Sequence, residues 1–432
     1  MSKRHTIMMV TDFFYPDFGG VEIHIYYLSQ SLIFRGHRVI VVTHTRANLY
    51  GVRYMARGLK VFYLPNRDIF KVVAPLIYSS TSLIRDIIIR EKVTIVHGHS
   101  SFSPIAYEAI MHASLMGLPT VFTDHSLFGF KTLRCIILNT LFRYCMMLTN
   151  YVICVSHTGR ANTVLKASLD PQRVFVIPNA ITTDNGHRIK VGTLDKILQD
   201  QAYCNDRDRT IVVVMVNRLY YRKGLDLAVQ VIPVICSRFS NIKFVIAGDG
   251  PKMDDLLAMR EFHRLEKRVI LLGTVPHDKI KDVLKQGHIF LNCSIAEVFC
   301  ISILEAAYFG LLVVTTNVGG IIEVLPDSNP QVVRYTEANV YSIIKVLSKA
   351  IKEVNYINQS DLEKLRHKLQ IVYNWHSVAE RTEQVYNVLK PPPGKLQILM
   401  RFLKMRTCAG FIYFLILLGN VFYLYILDKL CT

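Results

Sequence analysis

Short apolar runs, mostly β-branched, recur along this chain, and each is followed by a longer stretch with helical apolar spacing. The first series falls at Thr6–Thr11, Arg38–Thr43, Val61–Leu64, Val93–His97, Thr120–Thr123, Tyr151–Val155 and Val174–Ile177. After a polar interval around Thr183–Arg209, the rhythm restarts at Ile211–Val216, Lys243–Ala247, Val269–Leu272, Ile289–Asn292 and Leu312–Thr316. Strands apolar on both faces need cover on both faces, and intervening helices supply it. The pattern predicts an α/β fold of two doubly wound parallel-sheet domains in tandem. Ligands of such sheets bind at the carboxyl ends of the strands, and the cleft between two domains is the default active site. The expected divisions are 1–190, 191–375, a terminal helix and Pro-rich spacer at 376–407, and an apolar helix at 408–427. Within them Asp361–Leu389 reads as one long helix, closed by Pro391-Pro392-Pro393-Gly394.

From Cys408 to Leu427 the chain carries no charge. As a helix that run spans about 30 Å, the thickness of a bilayer core. Tyr413, Tyr423 and Tyr425 suit the interfaces. Lys395, Arg401, Lys404 and Arg406 precede it and only Asp428 and Lys429 follow, which puts the globular part on the cytosolic side. A single-pass tail anchor is the expectation. The net charge of +18, from 51 Lys+Arg against 33 Asp+Glu, favours phosphates or an acidic membrane face. The basic residues are scattered and no nucleic-acid motif accompanies them, so no nucleic-acid partner is expected. The 9 cysteines show no CxxC, and most sit in apolar stretches, as small buried thiols of a reducing compartment do. The apolar run Ile7–Val10 is too short for a signal-peptide core and reads as the first strand. The Ile136–Phe142 stretch with Tyr144–Leu148 fits a buried interdomain helix or a membrane-facing one.

The chemistry concentrates in Glu297–Gly320, EVFCISILEAAYFGLLVVTTNVGG. Were this helical throughout, Glu297 and Glu305 would stand about 12 Å apart along the axis. The carboxyl pair of a retaining glycosidase sits roughly 5 Å apart. The two carboxylates are better placed to grip two ends of one elongated ligand, with a helix N-terminus for an anion between them. A sugar nucleotide has that layout.

Other residues stand at strand ends. Gly19-Gly20 precedes a helix, where backbone can approach a ligand closely or simply turn. Arg218 and Lys223 follow Ile211–Val216; they could neutralise a diphosphate or belong to a solvated basic loop. Gly248-Asp249-Gly250 lacks the third glycine of a dinucleotide fingerprint, which argues against hydride transfer and leaves a tight turn for a base edge. His125 follows a strand and is either structural or a donor to a sugar hydroxyl. His97-Gly98-His99 offers two imidazoles with no third ligand evident, and Asp206-Arg207-Asp208 lies away from any strand end. No catalytic metal is therefore expected.

Together these stretches resemble the retaining GT-B glycosyltransferases, whose signature is two glutamates separated by seven residues. Within them the chain is similar to the catalytic-subunit family of phosphatidylinositol N-acetylglucosaminyltransferase. The similarity runs from about Ile7 to Leu325 and to the tail anchor. It rests on DFFYPDFGGVEIHIYYLSQ, VTIVHGHSSFS, TVFTDHSLFGF, YVICVSHT, VIPNA, YRKGLDL, GDGPK, QGHIFLNCSIAEVFCISILEAA and NVGGIIEVLP. The two-glutamate motif alone would indicate only the superfamily.

The resemblance implies a GT-B fold, two Rossmann-like domains facing a cleft, and transfer of N-acetylglucosamine from UDP-GlcNAc to phosphatidylinositol with retention. This would be the first step of GPI-anchor synthesis, on the cytosolic face of the endoplasmic reticulum membrane. It implies that Glu305 holds the ribose hydroxyls and Glu297 the hexose, with the backbone of Phe299, Cys300 and Ile301 near phosphates and sugar. Arg218 and Lys223 would stabilise the UDP leaving group, Gly19 and Gly20 cover the diphosphate, His125 meet the hexose, and Gly248 and Gly250 flank the uracil. No metal cofactor is implied, and further subunits of a membrane complex are. Departures are Thr182 after Pro178-Asn179-Ala180-Ile181, where an acidic residue is usual, a divergent linker to Arg209, and Asn217 where relatives often carry glycine. A mannosyltransferase acting on a lipid and a noncatalytic scaffold protein of the same fold are the alternative readings.

Overall fold

A computed structural model describes residues 3–16, 19–45, 49–65, 80–101, 103–127, 129, 132–181, 210–325 and 332–430. The chain forms two compact units, Met1–Asn179 with Trp375–Thr432, and Ala180–Asn374. The first unit is thus built from both ends of the chain, whereas the sequence reading sets the terminal segments apart. The residue 190/191 division and Asp206-Arg207-Asp208 lie outside the described residues.

In the first unit the strands are β1 (Thr6–Val10), β2 (Arg38–His44), β3 (Gly51–Tyr54), β4 (Lys60–Leu64), β5 (Ile95–His99), β6 (Thr120–Asp124), β7 (Tyr151–Cys154) and β8 (Val174–Val176). They pair in the order β3-β4-β2-β1-β5-β6-β7-β8, all parallel except β3 with β4. Ile7, Met8, Met9 and Val10 of β1 are fully buried, the expected state of a central strand covered on both faces. The order reverses between β1 and β5, so their carboxyl ends mark a switch-point crevice. Asp12, just past β1, accepts from Ser103 Oγ and the Ile105 N–H, each at 3.2 Å, and so caps the helix Pro104–Leu115.

The second unit holds β9 (Ile211–Val216), β10 (Ile242–Ala247), β11 (Val269–Gly273), β12 (Ile289–Asn292), β13 (Leu312–Thr316) and β14 (Val333–Thr336). All pairs are parallel, in the order β11-β10-β9-β12-β13-β14. Its switch point lies between β9 and β12.

The expected helix Asp361–Leu389 is two helices, Gln359–Val372 and Trp375–Asn387. The break at Tyr373–Asn374 bonds to other backbone: the Ile181 N–H donates to Tyr373 O at 3.1 Å. The second helix completes the first unit. Tyr386 is fully buried there, and Arg35 pairs with Glu383 at 2.6 Å.

Among the described residues one helix, Cys408–Leu430, is long and apolar enough to cross a membrane. One stripe of it packs on the first unit. Leu417 and Leu424 are buried, Asn420 Nδ2 meets His112 Nδ1 at 2.7 Å, and Arg85 donates to Asp428 at 3.0 Å. The opposite stripe, including Phe411, Ile412, Leu415, Leu418, Phe422 and Tyr425, is exposed and apolar. In the helix Leu133–Leu148, Leu133, Ile136 and Ile137 are exposed, while Phe142, Cys145 and Met146 are buried.

Candidate functional site

In the second unit the predicted residues gather at the carboxyl ends of the strands beside the switch point. Arg218 and Lys223 follow β9, Gly248 and Gly250 follow β10, and Glu297 with the helix Ile301–Tyr308 follows β12. Backbone contacts bind these loops into one surface. The Leu219 N–H donates to Asp249 O at 2.9 Å, and the Ile295 N–H to Arg222 O at 2.9 Å. At Gly224, φ is +70° and an added Cβ would stand 1.7 Å from Cys293 O. At Gly248, φ is +144° and a Cβ would stand 1.8 Å from Asn217 O. Only glycine fits either position.

Lys223 Nζ is ion-paired with Glu297. Burial opposes the ammonium's charge, but Glu297 and Cys300 together more than offset it and the pKa is raised. Arg218 acts against that charge, which puts two cations and one carboxylate within electrostatic reach. The Gly320 N–H donates to Glu297 O at 3.0 Å, so the turn after β13 holds the turn after β12. Helix begins only at Ile301, with Cys300 at its N-cap and no side-chain cap. Phe299 and Cys300 are buried. Burial pushes the Cys300 thiol up to about 11, with Glu297 adding to the effect, while the N–H groups of Ser302 and Ile303 act against it. This is a helix N-terminus beside a lysine, the electrostatics of an anion site.

Glu305, inside that helix, has a different neighbour. His277 Nε2 is 3.7 Å from its Oε1, and burial pushes its carboxyl up to about 8. The two glutamates therefore occupy separate surroundings: Glu297 is ion-paired with Lys223, and burial holds Glu305 toward its neutral acid form. His277, from the N-terminus of the helix His277–Leu284, escaped the sequence reading because its partner is 28 positions away on a different helix.

In the first unit Gly19 is the N-cap of the helix Gly20–Phe34, in extended conformation. His125 follows β6 and is partly exposed. The residue before it, Asp124, is buried and ion-paired with buried Lys166, and accepts from Thr163 Oγ1 at 2.7 Å and Ser101 Oγ at 2.6 Å. That cluster fixes the strand end from which His125 projects. Its imidazole lies with those of His24 and His99: ring centroids are 4.7 Å from His24 and 5.7 Å from His99. Burial, with neighbouring imidazoles adding to it, holds His99 and His125 well below the usual histidine pKa; burial takes His24 to about 4 against the opposing hydrogen bond to Asn179. All three are neutral at physiological pH. The sequence reading found no third imidazole beside His97-Gly98-His99. The fold supplies His24 from a helix whose apolar spacing gave no sign of it.

Residues 44–132 match the family described as PIGA (GPI anchor biosynthesis), and residues 200–367 match Glycosyl transferases group 1. The chain is 44% identical over 415 residues to a phosphatidylinositol N-acetylglucosaminyltransferase subunit of Arabidopsis thaliana, covering 95% of this chain and 89% of that protein. It is 46% identical to the Homo sapiens protein of the same name, over 89% of this chain and 76% of the other. The chain belongs to the PIGA family of phosphatidylinositol N-acetylglucosaminyltransferase subunits. Solved structures agree on the fold. A Rickettsia africae glycosyltransferase superposes with TM-score 0.68 at 17% identity, covering 89% of this chain and 98% of that one. Anabaena Alr3699/HepE, in complex with UDP-glucose, gives 0.68 at 16%, covering 89% and 99%. This member of the PIGA family is thus a glycosyltransferase with a GT-B fold, as its sequence implied.

Proposed function

We propose that the chain transfers N-acetylglucosamine from UDP-GlcNAc to phosphatidylinositol with retention, as the first step of GPI-anchor biosynthesis. The observation that carries this reading is the Lys223–Glu297 pair beside the Ile301 helix N-terminus, in a chain so close to named transferase subunits. Breaking the sugar–phosphate bond develops negative charge on UDP and positive charge on the hexose ring. Lys223 and Arg218 would stabilise the leaving diphosphate, and preorganised charge of this kind is worth several kcal/mol. Glu297 would orient the hexose while restraining the Lys223 ammonium, Glu305 would take the ribose hydroxyls, and His125 would meet the hexose. The attacking inositol hydroxyl would enter on the face that the phosphate leaves, its proton passing to the departing phosphate oxygen. The chemistry asks for no metal cofactor.

An acceptor held in a bilayer accords with the apolar helix Cys408–Leu430 and with the net charge of +18. The proposed setting is the endoplasmic reticulum membrane, catalytic units cytosolic, within a multisubunit complex. Crossing the bilayer would require the helix to leave His112 and Arg85. The test offers labelled UDP-GlcNAc and GDP-mannose to membranes enriched in the protein and supplied with phosphatidylinositol. Label entering lipid from UDP-GlcNAc alone is expected; label from the mannose donor alone would overturn the reading.

A further inference from the structure

His24, His99 and His125 each turn a ring nitrogen into one small space, and these three atoms lie within 4.8 Å of one another. The first observation favouring a ligand there is the tautomer of His24. Its Nδ1–H donates to Asn179 Oδ1 at 2.7 Å, leaving Nε2 with its lone pair, and that Nε2 is buried with no hydrogen-bond partner. An imidazole held through one nitrogen by an oxygen acceptor while the other is open is the usual arrangement of a metal-ligating histidine. The second is distance. His99 Nδ1 and His125 Nε2 are 3.4 Å apart. Two nitrogens at 2.0–2.1 Å from a tetrahedral zinc stand about 3.3–3.4 Å apart. The third is the orientation of His99, whose Nε2 faces Met9 Sδ at 3.4 Å, which directs Nδ1 into the space.

We propose that these three histidines form a transition-metal site of the zinc class, with an open fourth position on the partly exposed side of His125. Three imidazoles and no carboxylate suit Zn²⁺ and its borderline neighbours, and disfavour Mg²⁺. In the metal-free state His125 Nε2–H points at the lone pair of His99 Nδ1, and His99 keeps its own proton on the Nε2 that faces Met9 Sδ. Binding moves His125 to its Nδ1–H tautomer, so Nε2 donates its lone pair to the metal and no net proton is released. The site is not a cofactor site for transfer. Its occupancy takes up the imidazole proposed to meet the hexose, so zinc inhibits; that consequence, unlike the binding itself, rests on the proposed function.

The full-length chain in detergent micelles, stripped with a chelator, is titrated with Zn²⁺ and with Mg²⁺, and bound metal is measured by mass spectrometry. One zinc per chain and no magnesium are expected. Asn179→Ala weakens zinc about 10–100-fold, His24→Gln weakens it further, and His263→Gln, at an exposed position, changes nothing. Substoichiometric zinc, or equal affinity in Asn179→Ala and His24→Gln, overturns the proposal. If both variants fail to fold, X-ray absorption of the wild-type zinc complex decides: three imidazole ligands support the site, and sulfur ligands overturn it. Stoichiometric zinc on these histidines without inhibition of transfer would instead overturn the role proposed for His125.

Discussion

Replacing Lys223 with alanine separates chemistry from architecture. In the free protein the ammonium faces Glu297, and both side chains are partly exposed. The gross attraction of two unit charges near a protein surface is about 4 kcal/mol at 4 Å. Solvent screening and side-chain entropy reduce the net value of such a pair to about 1 kcal/mol or less. Loss of stability is therefore limited to a Tm fall of about 2–4 °C for a unit of this size. The transition state feels more. Charge grows on the diphosphate as the bond breaks, and loss of one preorganised donor to a developing oxyanion costs about 2.7–4 kcal/mol, or 10²–10³ in kcat. Arginine cannot replace it fully, because Gly224 is locked under Cys293 O and the loop cannot retreat to seat a longer fork. Lys223→Arg restores Tm and only part of kcat. The assay is label transfer to phosphatidylinositol at saturating UDP-GlcNAc, with thermal unfolding in parallel. A kcat within threefold of wild type for Lys223→Ala, with only KM raised, would refute the leaving-group role, since uniform binding leaves kcat untouched.

Further outcomes follow from other residues. Glu305 has a carboxyl near pKa 8 in the free fold, so if ribose hydroxyls bind its carboxylate, UDP-GlcNAc affinity rises up to about tenfold per pH unit below 8. Equilibrium binding in Glu305→Gln loses that slope. Because this pKa lies above the unfolded value of 4.5, the free fold's contribution from Glu305 is fully present below pH 4.5 and is lost as pH rises through 8; thermal melts across that window show it flattened in Glu305→Gln. Tyr386→Phe removes the hydroxyl 2.6 Å from buried His97 Nδ1 and lowers stability by about 1–3 kcal/mol, read from chemical denaturation. Gly224→Ala forces a Cβ against Cys293 O and abolishes transfer, with an unfolding midpoint below that of Lys223→Ala.

What the sequence disclosed was what local pattern controls. The central strands β9, β12 and β13 coincide with their short apolar runs. Strand β3, Gly51–Tyr54, did not announce itself, because it is a four-residue antiparallel edge strand, exposed on both faces, with Arg53 in the middle. The break at Tyr373 was hidden because no Gly or Pro marks it; a backbone bond to Ile181 decides it. Arg218, Lys223, Glu297 and Glu305 were legible because each follows a strand within a short stretch of chain. The His24, His99 and His125 grouping was not, since three elements far apart in the chain converge only through the topology of the sheet.

The two-ended construction of the first unit has a consequence for biogenesis. A ribosome delivers Met1–Asn179 first, yet Trp375, stacked over Tyr27, and Tyr386, seated on His97, arrive only after roughly two hundred more residues. At about 5–20 residues per second, that delay is on the order of 10–40 s. The intervening unit has all its strands in hand and can close first. The nascent amino-terminal sheet must wait with its seat for Tyr386 unfilled, so a stop codon near residue 375 would leave it without the three helices that follow. A chaperone that shields an early, incomplete sheet would find its client here before synthesis ends.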